Sequence, residues 1–313
     1  QLDGIATSDD LSALYEALSS VKDSLGHFAV LTANVCTANP DFVKIRSSKF
    51  EEFYYETFDL SIKNSENGNA TWALWEQGVN LGLLRPQLHG REHLHALAWL
   101  KELSNGNIDL LKAFEHNSWG IPYQALFKQR RKNLQAALDI YEMEKEFLFQ
   151  KQWLMDSVDI FEDKFGFKSK SFIAPAYTWH SKIHRELKPL GIDSLQGIKL
   201  QYQPRRDSYM KKLHFMGEYS KSNDIYFFPR NVFFEPSLLP NKDWYSETLR
   251  GVEFAFKNNM PAIIGSHRIN FIGKLKEANR TDNLDILTRI LSDVVKKYPD
   301  VIFTTSDKIK NYF

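Results

Sequence analysis

Five consecutive residues, His89-Gly90-Arg91-Glu92-His93, combine two imidazoles at a spacing that can do metal chemistry. Once a helix has started, side chains four residues apart lie one above the other. Two imidazoles so placed can grip one divalent ion while its other positions stay open for water and substrate. Two surface histidines at a loop–helix junction are the reading without chemistry. A second candidate, His267, ends the apolar run Pro261-Ala262-Ile263-Ile264-Gly265 and is followed by Arg268. Its imidazole can exchange a proton near neutral pH.

These side chains need rigid elements behind them. Short apolar runs predict strands at Ala29 to Val35, Leu83 to Leu88, Ser171 to Ala174, Ser194 to Gln196, Ile225 to Phe228, Ala262 to Gly265 and Val301 to Thr304. Amphipathic patterns predict helices at Leu11 to Leu25, Glu92 to Leu103, Leu126 to Phe165, Trp244 to Asn258 and Leu284 to Lys297. Strand alternating with helix predicts an α/β fold with a parallel sheet, barrel or doubly wound. Glycine-rich phosphate loops are absent, which weakens the nucleotide-binding version. With no repeats or long linkers, residues 1–313 read as a single domain, with a helical insertion over about 105–165.

In a parallel barrel, chemistry collects at the C-terminal ends of the strands. The polar residues follow that rule. Leu83 to Leu88 ends at His89; Phe172-Ile173-Ala174 ends in Pro175-Ala176-Tyr177-Thr178-Trp179-His180; Tyr226-Phe227-Phe228 leads to Arg230 and then Glu235; Ile264-Gly265 ends at Ser266-His267-Arg268. Several such ends in succession suggest one rim.

Three of these segments resemble the motifs of the polysaccharide deacetylases of the nodulation-factor deacetylase type. The family's His-[Ser/Thr]-x-x-His is similar to His89–His93, with Gly90 in place of the hydroxyl residue. Its Arg-x-Pro-Tyr resembles Ile173-Ala174-Pro175-Ala176-Tyr177, where the arginine is absent and the tyrosine falls one place late. Its last motif, a hydrophobic strand ending in Leu-x-His, resembles Ile264-Gly265-Ser266-His267. The three segments span about residues 29 to 305, and the whole looks like a divergent bacterial branch.

The resemblance implies a distorted parallel (β/α) barrel of about seven strands and metal-assisted hydrolysis of an N-acetyl or O-acetyl group on a sugar. It implies His89 and His93 as ligands of one divalent ion, Zn²⁺ or alternatively Co²⁺ or Ni²⁺, and His267 as the acid that protonates the leaving group. The backbone N–H of Ala176 or Tyr177 would stabilise the oxyanion. Arg230 would stand in for the missing arginine, unless it pairs with Glu235. Tyr177 and Trp179 would line a sugar pocket, and Arg91 and Arg268 would contact an acidic sugar or a phosphate.

The family's first motif, Asp-Asp at the end of a buried strand, is offered by Asp9-Asp10 only in letters. Ser8-Asp9-Asp10 before Leu11, Leu14, Tyr15 and Leu18 reads instead as an N-cap and acidic first turn. On that reading the first barrel strand, with the base and the third ligand, lies upstream of Gln1. A catalytically degenerate glycan-binding barrel is the alternative. A further one is the His-x-x-Glu-His pattern of inverted zinc proteases, with Glu92 as base. Pro86 and Gly90 oppose the continuous helix which that pattern needs.

Composition sets outer bounds. Lys and Arg number 40 against 39 Asp and Glu, so charge points to no nucleic-acid partner. No apolar run approaches the roughly 20 residues of a membrane span. The single Cys36 excludes an intramolecular disulfide. The expected partner is a carbohydrate. Localisation stays open, the cytoplasm slightly ahead of export.

Overall fold

The computed structural model describes residues 4–119, 133–140, 143–205 and 208–313. Along the chain run α1 (Ser8–Ser19), β1 (Leu31–Val35), β2 (Ala38–Pro40), α2 (Phe42–Ser47), β3 (Tyr55–Thr57), α3 (Phe58–Lys63), α4 (Gly68–Asn80) and β4 (Leu84–Leu88). Then come α5 (Ala96–Ser104), α6 (Ile108–Glu115), α7 (Met143–Phe165), β5 (Ser171–Ile173), α8 (His184–Leu187) and β6 (Ser194–Gly197). The remainder holds β7 (Leu200–Pro204), β8 (Tyr209–Leu213), β9 (Glu218–Ser220), β10 (Ile225–Pro229), β11 (Val232–Phe233), α9 (Trp244–Lys257), β12 (Ile264–Gly265) and α10 (Glu277–Lys297). The α/β class holds. The chain divides into two compact units, where the sequence suggests one domain.

The first unit comprises Gln1–Ala33, Asp59–Pro86 and Pro229–Phe313. Its core is helical: Leu11, Leu14, Leu18 of α1 and Leu284, Leu287, Ile290 and Leu291 of α10 are buried in one apolar cluster. Each buried leucine or isoleucine contributes about 1.5–3 kcal/mol. Against this core lie β11 and β12, which pair in parallel with Val232 opposite Ile264 and Phe233 opposite Gly265. The predicted strand from Val301 to Thr304 joins no ladder. Side chains take its backbone groups instead: the Phe303 N–H donates to the Asp23 carboxylate at 3.0 Å, and the Ser24 hydroxyl donates to the Val301 carbonyl at 3.1 Å.

The second unit comprises Asn34–Phe58 and Gln87–Phe228. It carries most of a six-stranded sheet of order β1-β4-β5-β6-β10-β9, to which β1 and β4 bring their C-terminal ends. β4, β5 and β6 run parallel, and β9 is an antiparallel edge. Among the described residues the sheet is open, with β1 and β9 at its edges, so the expected distorted barrel of about seven strands does not close. Separate antiparallel pairs, β2–β3 and β7–β8, carry no apolar run long enough to show in the sequence. The expected insertion helix from Leu126 is described only as α7, because residues 120–132 and 141–142 lie outside the described residues. Trp153, Leu154, Val158 and Phe161 of α7 are buried with Leu88, Phe172 and Leu195 of the sheet.

The amino-terminal helix settles the role of Asp10. Thr7, not Ser8, is the N-cap, one residue before the expected position, and it forms a reciprocal capping box with Asp10. Asp10 Oδ2 accepts from the Thr7 N–H and hydroxyl at 2.9 Å each. Its Oδ1 accepts from the Gly273 N–H and from Arg280 Nη1, again at 2.9 Å. Burial pushes this carboxyl up, but the hydrogen bonds from Thr7, Gly273 and Arg280 outweigh it and hold the group below its ordinary value of 3.8. A depressed folded pKa adds stability that is present above the unfolded value and is lost as pH falls through the folded one. Asp10→Ala is therefore expected to destabilise the chain by about 3 kcal/mol at neutral pH, because it removes the acceptor shared by Thr7, Gly273 and Arg280 and leaves the largely covered Arg280 with only the exposed Glu277. Urea unfolding should show this difference shrinking below about pH 4. An undiminished difference at pH 2 would contradict the assignment.

Candidate functional site

The sequence-predicted residues divide between the two units. In the second, His89 follows β4 and donates Nδ1–H to the Ile173 carbonyl at 2.7 Å, since a carbonyl can only accept. That bond fixes the tautomer and leaves the lone pair of the neutral ring on Nε2. The rings of His89 and His93 meet edge to face, with centroids 5.0 Å apart. The pair is thus brought together, but not by a helix. Residues 91–95 are irregular, and α5 begins only at Ala96, capped by His95.

Two local constraints delay that helix. Gly90 has φ +99°, and a Cβ there would stand 1.9 Å from the Trp153 ring, which explains why the hydroxyl residue of the resembled motif cannot occupy this place. Arg91 and Glu92 are adjacent yet form a two-point ion pair, Nε–Oε2 2.6 Å and Nη2–Oε1 3.0 Å. Neighbours on a helix point too far apart for that. The pair is deeply buried, and Arg91 Nη1 also reaches Asp156 at 2.6 Å. The guanidinium lies 4.4 Å from the centroid of the Tyr55 ring and 5.5 Å from that of Phe53. Burial pushes the Glu92 carboxyl up despite the pull of Arg91. Arg91 is corrected from a substrate contact to a structural cation, and the protease reading of Glu92 loses its helix.

Tyr177 and Trp179 also change roles. Trp179 is buried in the core and donates its indole N–H to His184 Nε2 at 2.9 Å, so it lines no pocket. Desolvation lowers the His184 pKa to about 3, in keeping with a neutral acceptor. Ala176 and Tyr177 both have positive φ, 52° and 54°. The Tyr177 N–H is spent on the Ala174 carbonyl at 3.1 Å, which removes it as an oxyanion donor. The Ala176 backbone and the Tyr177 ring are half-buried.

In the first unit the two short parallel strands carry the other set. Glu235 follows β11 and His267 follows β12. The His267 Nδ1–H donates to Glu235 Oε1 at 2.7 Å, and its backbone N–H reaches Oε2 at 3.3 Å. The carboxylate is nearly covered, while the imidazole is 59% exposed. One face of the ring system is therefore anchored and the other meets solvent. Arg230 lies against the same strand end: a Cβ on Gly265 would come within 2.9 Å of its side chain. Glu235 is held by His267 and Asn270, not by the Arg230 pairing the sequence left open. Arg268 is exposed beside His267.

The sequence reading missed Asn270 and the function of Glu235. Glu235 follows one strand end it had singled out, and Asn270 lies two residues beyond another, Ser266-His267-Arg268, but no periodicity signals that two loop residues will meet. Chemically the arrangement is a solvent-facing imidazole whose inner nitrogen is bound to a carboxylate. Such a ring can accept a proton from water at Nε2 and return it to a leaving group.

Among the described residues, no group of three or more His, Cys, Asp or Glu side chains is placed to hold a metal ion. Also among them, no helix is long and apolar enough to cross a membrane. Asp10, the in-chain candidate for a third ligand, has both oxygens committed to its cap and to Arg280.

No family model matches the chain, and no curated protein does. Solved structures do align with it. A family-57 glycoside hydrolase branching enzyme from Thermococcus kodakaraensis, in complex with glucose, is 11% identical, with a TM-score of 0.45 over 98% of this chain and 66% of that one. A branching enzyme of the same type from Pyrococcus horikoshii is 12% identical, with a TM-score of 0.37 over 92% of this chain and 52% of that one. The chain thus spans about half to two thirds of those enzymes' length. Likeness this loose transfers no residue role. The resemblance to polysaccharide deacetylases does not hold: the two aligned structures named above are family-57 branching enzymes, and no family model matches the chain.

Proposed function

We propose that the chain is a carbohydrate-active hydrolase whose proton-transfer residue is His267, held by Glu235. The observation that carries this is the 2.7 Å bond from Nδ1 to a covered carboxylate beneath an exposed ring. Glycosidic cleavage ordinarily uses two carboxylates flanking the bond, each available to the substrate or to water. Glu235 is not available in that way, because both its oxygens already accept hydrogen bonds. The exchangeable group is the imidazole, which suits removal of an acyl group, N-acetyl or O-acetyl, from a sugar. Phe233, the last residue of β11, paired with Gly265 and 40% exposed, offers a ring to the apolar face of a sugar. Arg230 and Arg268 supply positive charge for a developing oxyanion or an acidic substituent.

The test is acetate release from N-acetylated and O-acetylated oligosaccharides. His267→Ala should lower kcat by about 10²-fold or more while KM changes little, because the group acts in the transition state. Near-normal turnover in that variant would remove His267 from the mechanism. Saturable glycan binding with no turnover in the unaltered protein would favour a binding module instead.

His89 and His93 are proposed as a site for one zinc-class divalent ion, with Co²⁺ or Ni²⁺ as alternatives. The His89 bond to the Ile173 carbonyl supports this, since it orients the ring in the way outer partners orient metal-binding imidazoles. Two nitrogen ligands would leave water in the other positions, and a bound ion would supply Lewis-acid polarisation. Metal analysis after dialysis should find about one ion per chain, lost in His89→Ala. Equal occupancy in the doubly substituted His89→Ala, His93→Ala protein would refute the site.

A further inference from the structure

We infer that Asn270 is the positioning residue of the Glu235–His267 pair, an assignment that deepens the proposed function and rests on it for its catalytic meaning. Asn270 is fully buried. Its Nδ2 lies 2.8 Å from Glu235 Oε2, 2.9 Å from Ser266 Oγ, 3.0 Å from the His267 carbonyl and 3.2 Å from the Phe234 carbonyl. Its Oδ1 accepts the Ser237 N–H at 2.9 Å, and its own carbonyl accepts from Asn283 Nδ2 at 2.9 Å. One side chain therefore touches the loops after both parallel strands, and its backbone is tied to α10.

The amide can face only one way. Turned over, Oδ1 would stand 2.8 Å from a carboxylate oxygen, and Nδ2 would face the Ser237 N–H, donor against donor. Glu235 in turn has two oxygens with different tasks. Asn270 holds Oε2, so Oε1 is the atom left to face the His267 ring at 2.7 Å. A fixed Oε1 requires the proton of the neutral ring on Nδ1 and puts the lone pair on Nε2, the nitrogen turned outward. Without the amide, a carboxylate buried in this position loses a donor, which favours rotation toward water and frees the ring to take the other tautomer. Aspartate would not substitute: it has the same shape but sets one carboxylate against another.

The experiment reads the ring directly and needs no substrate. In ¹⁵N-histidine-labelled protein above the imidazole titration, His267 should show a protonated Nδ1 and an unprotonated Nε2. Asn270→Ala should abolish that pattern, giving mixed or reversed nitrogen shifts, in protein whose amide spectrum otherwise stays folded. Asn270→Asp, the isosteric variant, should do the same at neutral pH. An unchanged His267 tautomer in either folded variant overturns the assignment. In the unaltered protein the Asn270 side-chain amide protons should exchange slowly with water; rapid exchange overturns it too, even if neither variant folds. If the ring pattern depends on Asn270 but no acylated sugar is hydrolysed, the positioning stands and the proposed function fails. If the sugar is hydrolysed, Asn270→Ala should lower kcat with KM nearly unchanged.

Discussion

A carboxylate taken out of water must find donors within the protein, and this requirement organises each part of the molecule that carries candidate chemistry. An unsatisfied buried charge costs several kcal/mol, so the chain around it is fixed by whatever supplies the hydrogen bonds. Asp10 ties the start of α1 to Gly273 and Arg280. Glu92 and Arg91 hold residues 91–95 out of a helix. Glu235 draws together the loops after β11 and β12 through His267 and Asn270. In each case the partners come from loops or helix ends, where the backbone itself has groups left to satisfy. The first two clamps close completely on themselves. The third leaves one partner, the His267 ring, exposed while held at 2.7 Å by a nearly covered carboxylate, and this makes it the candidate reaction centre.

Much of the architecture was legible in the sequence wherever an apolar run was long enough to show its period. β1, β4, β5, β6 and β10 fall within a residue or two of the predicted runs, as do α9 and α10 at their C-terminal ends. The cap reading of Asp9-Asp10 also holds in kind, with Thr7 in the capping place. What failed depended on contacts between distant residues. The expected closed barrel needs a ladder joining the last strand to the first, and no local pattern encodes it. The expected helix start at Glu92 ignored the Trp153 ring under Gly90 and the buried Arg91–Glu92 pair with its distant partner Asp156. Arg91 and Trp179 look like surface and pocket residues by type, yet each is buried with a polar partner. His267 was found because it ends an apolar run. Its partners were not, because Glu235 and Asn270 acquire their meaning only when the two loops meet.

The same physics separates what the chain resembles from what its geometry can do. Short motifs such as His-x-x-x-His state which residue types are present, not which atoms remain available once every buried group has found a partner. Tyr177 offers its backbone N–H in the motif but spends it on Ala174 in the fold. Asp10 offers a carboxylate but spends both oxygens on a helix cap and a loop. The rings of His89 and His93 meet edge to face, and His267 keeps a ring face toward solvent. Availability, rather than residue type, is the stronger guide to chemistry here.

The most direct measurement of the central claim follows the oxygen of water. Acetylated oligosaccharides incubated with the protein in ¹⁸O-labelled water place the label according to which bond is cut. Acyl hydrolysis puts ¹⁸O in the released acetate and leaves the sugar chain at its original length, and this is the expected mass-spectrometric result. Label at a new reducing end, with shortened chains and acetyl groups intact, would show glycosidic cleavage and contradict the account.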